Sequence, residues 1–240
     1  MSPDRRQHRG AHPADSKLFD ATRLAVLRQA VGELSWLLTR GYSQRAALKL
    51  VGDRHSLCER QRLCVSRAAC SDQSLARRRE HQLPLKEIKG ESLVVDGFNL
   101  IITAEAALGG GLLFYGRDAC VRDLSGVHGS YRSVRETETA IALIGEALGR
   151  AGPREVRWLL DRPISNSGRL AARIKELALQ REWPWSVETV FNPDREILAS
   201  GRVALTSDSI ILDNVGRWTD FNEHLVRNYL TDAWLIDLRG

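Results

Sequence analysis

The hydrophobic pattern changes its period near residue 90, and that change divides the chain. Before it, apolar positions step by three and four. Leu24, Leu27, Val31, Leu34, Leu37 and Leu38 mark one face of a helix expected to run from a cap at Asp15 or Ser16 to about Arg40, with Gly41 as its stop. A second helix is expected from Ser43, with Ala46, Ala47, Leu50 and Val51 on one face and Gly52 at its end. Ser56 is placed to cap a third, carrying Leu57, Leu63 and Val65. Two short helices broken by a glycine have the outline of a helix-turn-helix.

After residue 90, short β-branched runs alternate with helical periods. Ser92-Leu93-Val94-Val95-Asp96 reads as a strand buried on both faces, ending in an acid followed by Gly97, Phe98 and Asn99. Glu155 to Asp161 is the second such run, Ser186 to Phe191 with Asn192-Pro193-Asp194 the third, and Val203 to Asp208 the fourth. Trp234 to Leu238 is the expected fifth strand, after a helix near 220–229. Strands alternating with helices predict an α/β domain with a mostly parallel sheet. Crossover connections bring the carboxyl ends of parallel strands to one edge, where open sheets bind ligands. Asp96, Asp161, Asp194 and Asp208 should therefore meet in one crevice. Four turn aspartates with a purely structural role are the bland alternative.

Two stretches break the alternation. Residues 71–90 read as a linker, with Arg77-Arg78-Arg79 as a charge run and Pro84 blocking regular structure. Residues 109–135 read as a long loop that opens on three glycines, Gly109 to Gly111, which form neither GxGxxG nor a P-loop. Arg117, Arg122, His128 and Arg132 in this segment suit phosphate or base contacts. On the helix expected over 136–149, Glu136 lies nearer the apolar face than Glu138, which makes it the helical candidate for a metal ligand. Arg162 and Arg169 flank the polar turn after the second acid-ended run, where a helix begins and an anion is favoured.

Composition is that of an ordinary globular chain of 240 residues, with no apolar run of membrane-spanning length. Met1 to His12 lack the apolar core of a signal peptide. Cys58, Cys64, Cys70 and Cys120 form no CxxC pair, so reduced thiols and a cytoplasmic setting are expected. Charge is uneven. Residues 1–90 carry 18 Lys and Arg against 9 Asp and Glu, and residues 91–240 carry 17 against 21. A basic module beside an acidic one fits attraction of a polyanion by the first and metal binding by the second. The expected organisation is a disordered basic tail over 1–15, a helical domain over 16–85 that suits nucleic-acid binding, and an α/β domain over 90–240.

Val95-Asp96-Gly97-Phe98-Asn99 and Thr206-Ser207-Asp208-Ser209 resemble the first and fourth strand motifs of PIN-like nucleases, the NYN and YacP-like branches above all. The resemblance covers roughly residues 90–240. The whole chain resembles an uncharacterised prokaryotic family joining a helical domain of unknown function to such a domain. It implies a PIN-like Rossmannoid three-layer fold preceded by a small all-α domain. By that resemblance Asp96 and Asp208 match catalytic metal-binding acids, and Asp161, the third catalytic candidate, matches the acid after the second strand. Converging carboxylates repel unless a hard ion relieves them, so Mg²⁺ or Mn²⁺ is the expected cofactor. Glu136 and Asp194 complete the proposed metal set, and Asn99, Thr206 and Ser207 are polar positions beside it. One departure stands out: Ser207-Asp208-Ser209-Ile210 lacks the family's second acid, for which Asp213 is the nearest substitute.

The expected function is hydrolysis of phosphodiester bonds, in RNA before DNA, with no membrane partner; oligomeric state is open, a homodimer included. A non-catalytic nucleic-acid-binding protein with a degenerate PIN-like domain is the alternative. A haloacid-dehalogenase-type phosphatase would need a second acid two positions after Asp96, where Phe98 stands.

Overall fold

In the computed structural model, which describes residues 8–126 and 131–239, an N-terminal helical region precedes a mixed α/β body. The helical region holds α1 (Asp15–Leu18), α2 (Ala21–Thr39), α3 (Gln44–Arg54), α4 (Glu59–Ala68) and α5 (Asp72–His81). A short 3₁₀ turn, Leu85–Ile88, leads into β1 (Ser92–Asp96), α6 (Gly97–Leu108), β2 (Leu113–Tyr115) and β3 (Val121–Asp123). Then come α7 (Thr137–Ala151), β4 (Glu155–Asp161), α8 (Ser167–Gln180), β5 (Trp185–Val190) and α9 (Pro193–Ala199). The chain continues through β6 (Val203–Leu205), α10 (Ser209–Leu212), β7 (Trp218–Thr219), α11 (Phe221–Asn228) and β8 (Leu235–Asp237).

Five of these strands form one parallel sheet in the order β5-β4-β1-β6-β7. The unbroken apolar run of β1 follows from its central place. Leu93 and Val95 point into a core shared with α6, α7, α8 and α11, while Val94 points to the other face, where Ile197, Ile211 and Leu212 cover it. Helices on both faces bury both sides of the strand, so no polar alternation survives in its sequence. From β1 the chain winds outward through β4 to β5, then returns to the other side of β1 for β6. The strand order thus reverses between β1 and β6, leaving a crevice at their carboxyl ends.

Gly97 is fixed by close approach. A Cβ built there would lie 2.8 Å from the Leu159 carbonyl oxygen and 2.6 Å from Leu160 Cδ2, so α6 can start directly over β4 only without a side chain.

A second, three-stranded sheet orders β3-β2-β8, with β2 antiparallel to β3 and parallel to β8. It changes the relation between the two halves of the chain. Phe114, Leu112, Leu124, Ile236 and Leu238 complete the core that Phe19, Leu27, Val31, Leu34 and Val65 begin in the helical region. The helices therefore do not close a core of their own.

Several expectations are corrected at this level. Residues 8–15 are no detached tail: Arg9 is buried and ion-paired with the buried Glu105, whose other oxygen accepts from Tyr131 (2.5 Å) and Thr137 (2.6 Å). The long first helix starts at Ala21, because Asp20 caps it through the Thr22 and Arg23 amides, whereas Asp15 is buried against Arg60. Gly52 does not end α3, since its missing side chain makes room for the Arg62 guanidinium. The expected linker over 71–90 contains α5, capped by Ser71. The expected loop over 109–135 contains β2 and β3, whose three-residue lengths leave no readable alternation. The fifth strand of the main sheet is Trp218–Thr219, while the Trp234–Leu238 run supplies β8 to the smaller sheet.

Candidate functional site: an aspartate cleft at the strand reversal

The crevice at the strand reversal opens into a cleft of about 310 Å³. Asp96, Asp161, Asp194 and Asp208 all line it, each partly exposed. Asp96 stands at the end of β1 and Asp161 at the end of β4. Asp194 sits in the first turn of α9, directly after β5. Asp208 follows β6 and caps α10, accepting from the Ile210 amide at 2.8 Å and the Ile211 amide at 3.1 Å. One oxygen of Asp208 is therefore committed to local structure, as the turn-aspartate alternative requires for this residue.

Polar residues tie the two banks together. The Thr206 hydroxyl donates to Asp96 Oδ2 at 2.9 Å and accepts from the Asp208 amide at 3.0 Å. Asn99 Oδ1 accepts from the Ser207 amide at 2.9 Å and from its hydroxyl at 3.1 Å. Thr206, Ser207 and Asn99 are thus positioning groups whose hydrogen bonds are largely used within the protein.

The acids feel one another. Burial pushes the Asp96 carboxyl up to about 7, the Thr206 bond opposes this, and the charges of Asp208 and Asp194 add to it. Asp161 is raised by burial and then by Asp194, and Asp194 by burial and then by Asp208. The four line one open cleft within electrostatic reach of their neighbours. Among the described residues, however, no three His, Cys, Asp or Glu side chains stand close enough to form a ready-made metal cage. The acids line one cleft without forming such a group.

The other anticipated site residues divide sharply. Arg122 reaches the cleft but is buried, with both terminal nitrogens on Asp118 (2.7 Å each) and Nε on the Ser207 carbonyl (2.8 Å), so its donors brace the wall. Arg117 is elsewhere, bonded to the Cys70 carbonyl and paired with Asp72. Glu136 precedes α7 with one buried oxygen lacking a protein partner, but it does not line the aspartate cleft. Exposed Glu138 pairs with Arg173, as its outward position predicts. Arg169 and Arg132 are exposed and are not lining residues either. Arg162 lies next to Asp161, its guanidinium 4.9 Å from the ring centroid of Phe191, which is 73% exposed. His128 lies outside the described residues. Asp213 is paired with Arg78 at 2.7 Å and is no substitute for an acid at Ile210.

Sequence reasoning missed Asp123 and Arg67. Asp123 ends β3 and accepts from Thr103 at 2.7 Å on the cleft wall, a fifth acid hidden because its strand is only three residues long. Arg67 comes from α4 and bonds the Asp123 and Ser125 carbonyls at 2.7 and 2.8 Å. Its place in the cleft depends on packing between the helical region and the second sheet, which no local pattern encodes.

Comparison with known proteins agrees with a two-part chain. Residues 26–81 match a protein family of unknown function (DUF434), and residues 85–224 match a domain of unknown function (DUF5616). The uncharacterized protein MJ0935 of Methanocaldococcus jannaschii is 32% identical over 186 residues, covering 78% of this chain and 88% of the relative. No solved structure matches. The match over residues 85–224 spans more than half of the chain, and on that ground this protein belongs to the DUF5616 family.

Proposed function

We propose that this protein hydrolyses phosphodiester bonds in nucleic acid, RNA before DNA, at a divalent metal held by the aspartate cleft, in a domain of PIN-like type. The observation that carries this reading is the meeting of Asp96, Asp161, Asp194 and Asp208 at the strand reversal, where burial and then neighbouring carboxylate charge raise the proton affinity of Asp96, Asp161 and Asp194. Such a donor set fits a hard cation by its chemistry, all oxygen and mostly carboxylate. The fit rests on donor type, since the acids are not preassembled.

Asp96 and Asp208, bridged by Thr206, would hold Mg²⁺ or Mn²⁺, with Asp161 and Asp194 as further carboxylates lining the same cleft. A bound ion there supplies a water of lowered pKa and neutralises phosphate charge. Thr206 keeps Asp96 turned toward the cleft, and Asn99 fixes the backbone ahead of Asp208. The exposed Phe191 ring with Arg162 beside it offers a stacking platform suited to an unpaired base, which favours single-stranded substrate.

A second reading is a non-catalytic nucleic-acid-binding protein. Ile210, 64% exposed where the resemblance expects a second acid, and the engagement of Asp213 by Arg78 favour it. The two readings separate in one experiment. Single-stranded RNA and DNA oligonucleotides are incubated with the protein in Mn²⁺ or in chelator, beside Asp96→Asn. Mn²⁺-dependent cleavage lost in the variant supports the nuclease; tight RNA binding without cleavage leaves the binding protein.

A further inference from the structure

We infer that Arg78, on the last helix of the helical region, is a positioning residue of the aspartate cleft, and that the helical region sets the aim of Asp208. The inference rests on the cleft reading above and deepens it by naming what controls the site's geometry. Asp208 sits on a tight connection between a three-residue strand and a four-residue helix, elements too short to hold a side chain's direction by themselves. The protein grips this connection from both sides. Arg122 Nε donates to the Ser207 carbonyl at 2.8 Å, one residue before Asp208, and Arg78 Nη2 donates to the Ser209 carbonyl at 3.3 Å, one residue after it.

The two arginines are locked to each other through one carboxylate. Asp118 Oδ2 accepts from Arg78 Nη1 at 2.5 Å and from Arg122 Nη2 at 2.7 Å, and Asp118 Oδ1 accepts from Arg122 Nη1 at 2.7 Å. Arg78 Nε completes its fork on Asp213 at 2.7 Å, just past α10. Arg78, Asp118 and Arg122 are all buried. Burial alone would raise the Asp118 carboxyl, but the charges and hydrogen bonds of Arg122 and Arg78 outweigh it and hold it below the usual range. The Arg78 backbone is itself fixed, its carbonyl accepting from Trp218 Nε1 at 2.9 Å. A planar guanidinium can serve Asp118, Asp213 and the Ser209 carbonyl at once because its donors diverge in a rigid fork. A lysine ammonium at the end of a flexible stem cannot reach all three.

That difference supplies the test. Arg78→Lys keeps a charge beside Asp118 and so avoids the buried unpaired carboxylate that Arg78→Met would leave. Arg79→Ala removes a charge from the exposed neighbouring position and serves as the control. Metal-free wild type and both variants are compared by amide hydrogen exchange across residues 207–213, and then by calorimetric titration with Mn²⁺. In Arg78→Lys the amides of Ile210, Ile211 and Leu212 should exchange at least tenfold faster, and Mn²⁺ affinity should fall about 10- to 100-fold, the range found when a partner that orients a metal ligand is lost. Arg79→Ala should change neither. Exchange equal to wild type in Arg78→Lys overturns the inference. If wild type binds no Mn²⁺, the metal reading of the cleft fails, while the exchange measurement still decides whether Arg78 positions the Asp208 connection.

Discussion

Asp96→Asn is the sharpest perturbation of the cleft, because Asp96, although it stands at the N-cap position of α6, makes no side-chain capping hydrogen bond, whereas Asp208 caps α10 with its carboxylate. In the folded protein its carboxyl is raised from an ordinary 3.8 to about 7. The folded state therefore holds a proton that the unfolded chain releases between these two values. The contribution of this group is fully present below about pH 4 and is lost as pH rises through 7. A displacement of that size corresponds to about 4 kcal/mol of strain in the ionised, metal-free protein at pH 8. Asparagine removes the charge and weakens the bond from Thr206, a loss of about 1 kcal/mol. The expected net gain in chelator at pH 8 is about 2–3 kcal/mol, which for a chain of this length raises Tm by roughly 5–10 °C. At pH 4 the gain should vanish. The variant should keep a shallower fall in stability from pH 4 to 7, because buried Asp220 is also raised to about 7. Mn²⁺ should reverse the ranking, since an ion at a thousandfold its Kd stabilises wild type by about 4.1 kcal/mol and the variant far less. Differential scanning calorimetry across pH in chelator and in Mn²⁺ reads every part of this. A variant less stable than wild type at pH 8 in chelator would refute the reasoning, because Asp96 would then be an acceptor holding its turn.

Other outcomes follow from the same contacts. Replacing Glu105 by Gln leaves the buried Arg9 without its counter-charge and should cost about 3–5 kcal/mol by chemical denaturation, and removing residues 1–12 should cost a similar amount. Gly97→Ala should destabilise by more than 2 kcal/mol, because backbone at 2.8 Å cannot yield as a side chain could; a loss under about 1 kcal/mol would mean that α6 is free to shift. Phe191→Ala should weaken single-stranded RNA binding about 5- to 100-fold with little change in Tm, and Phe191→Trp should restore it, as measured by fluorescence anisotropy. Deleting residues 1–85 should yield an unstable, aggregating fragment rather than a weaker binder, because it uncovers Phe114, Leu112, Ile236 and Leu238, and a soluble fragment with a cooperative melt would count against a shared core.

What the sequence by itself determined are the features that recur along it. The helical period over α2 and the β-branched runs of β1 and β4 are long enough to average out exceptions, so an α/β body with a helical region before it was legible. So was the set of strand-end acids, because crossover handedness sends parallel strands' carboxyl ends to one edge whatever the detailed packing. The cleft's meeting of Asp96, Asp161, Asp194 and Asp208 is a consequence of topology. Tertiary structure decided the rest. β2, β3 and β7 are three residues or fewer, too short for any period to show, and their pairing is set by partners far away in the chain. Whether an arginine faces solvent or substrate was equally hidden. Arg78, in a charge run that reads as solvated linker, and Arg122, which reads as a phosphate contact, are buried only because Asp118 lies between them. Such a compensation is specified by three side chains meeting across the fold, and burying a guanidinium is tolerable only once they have met.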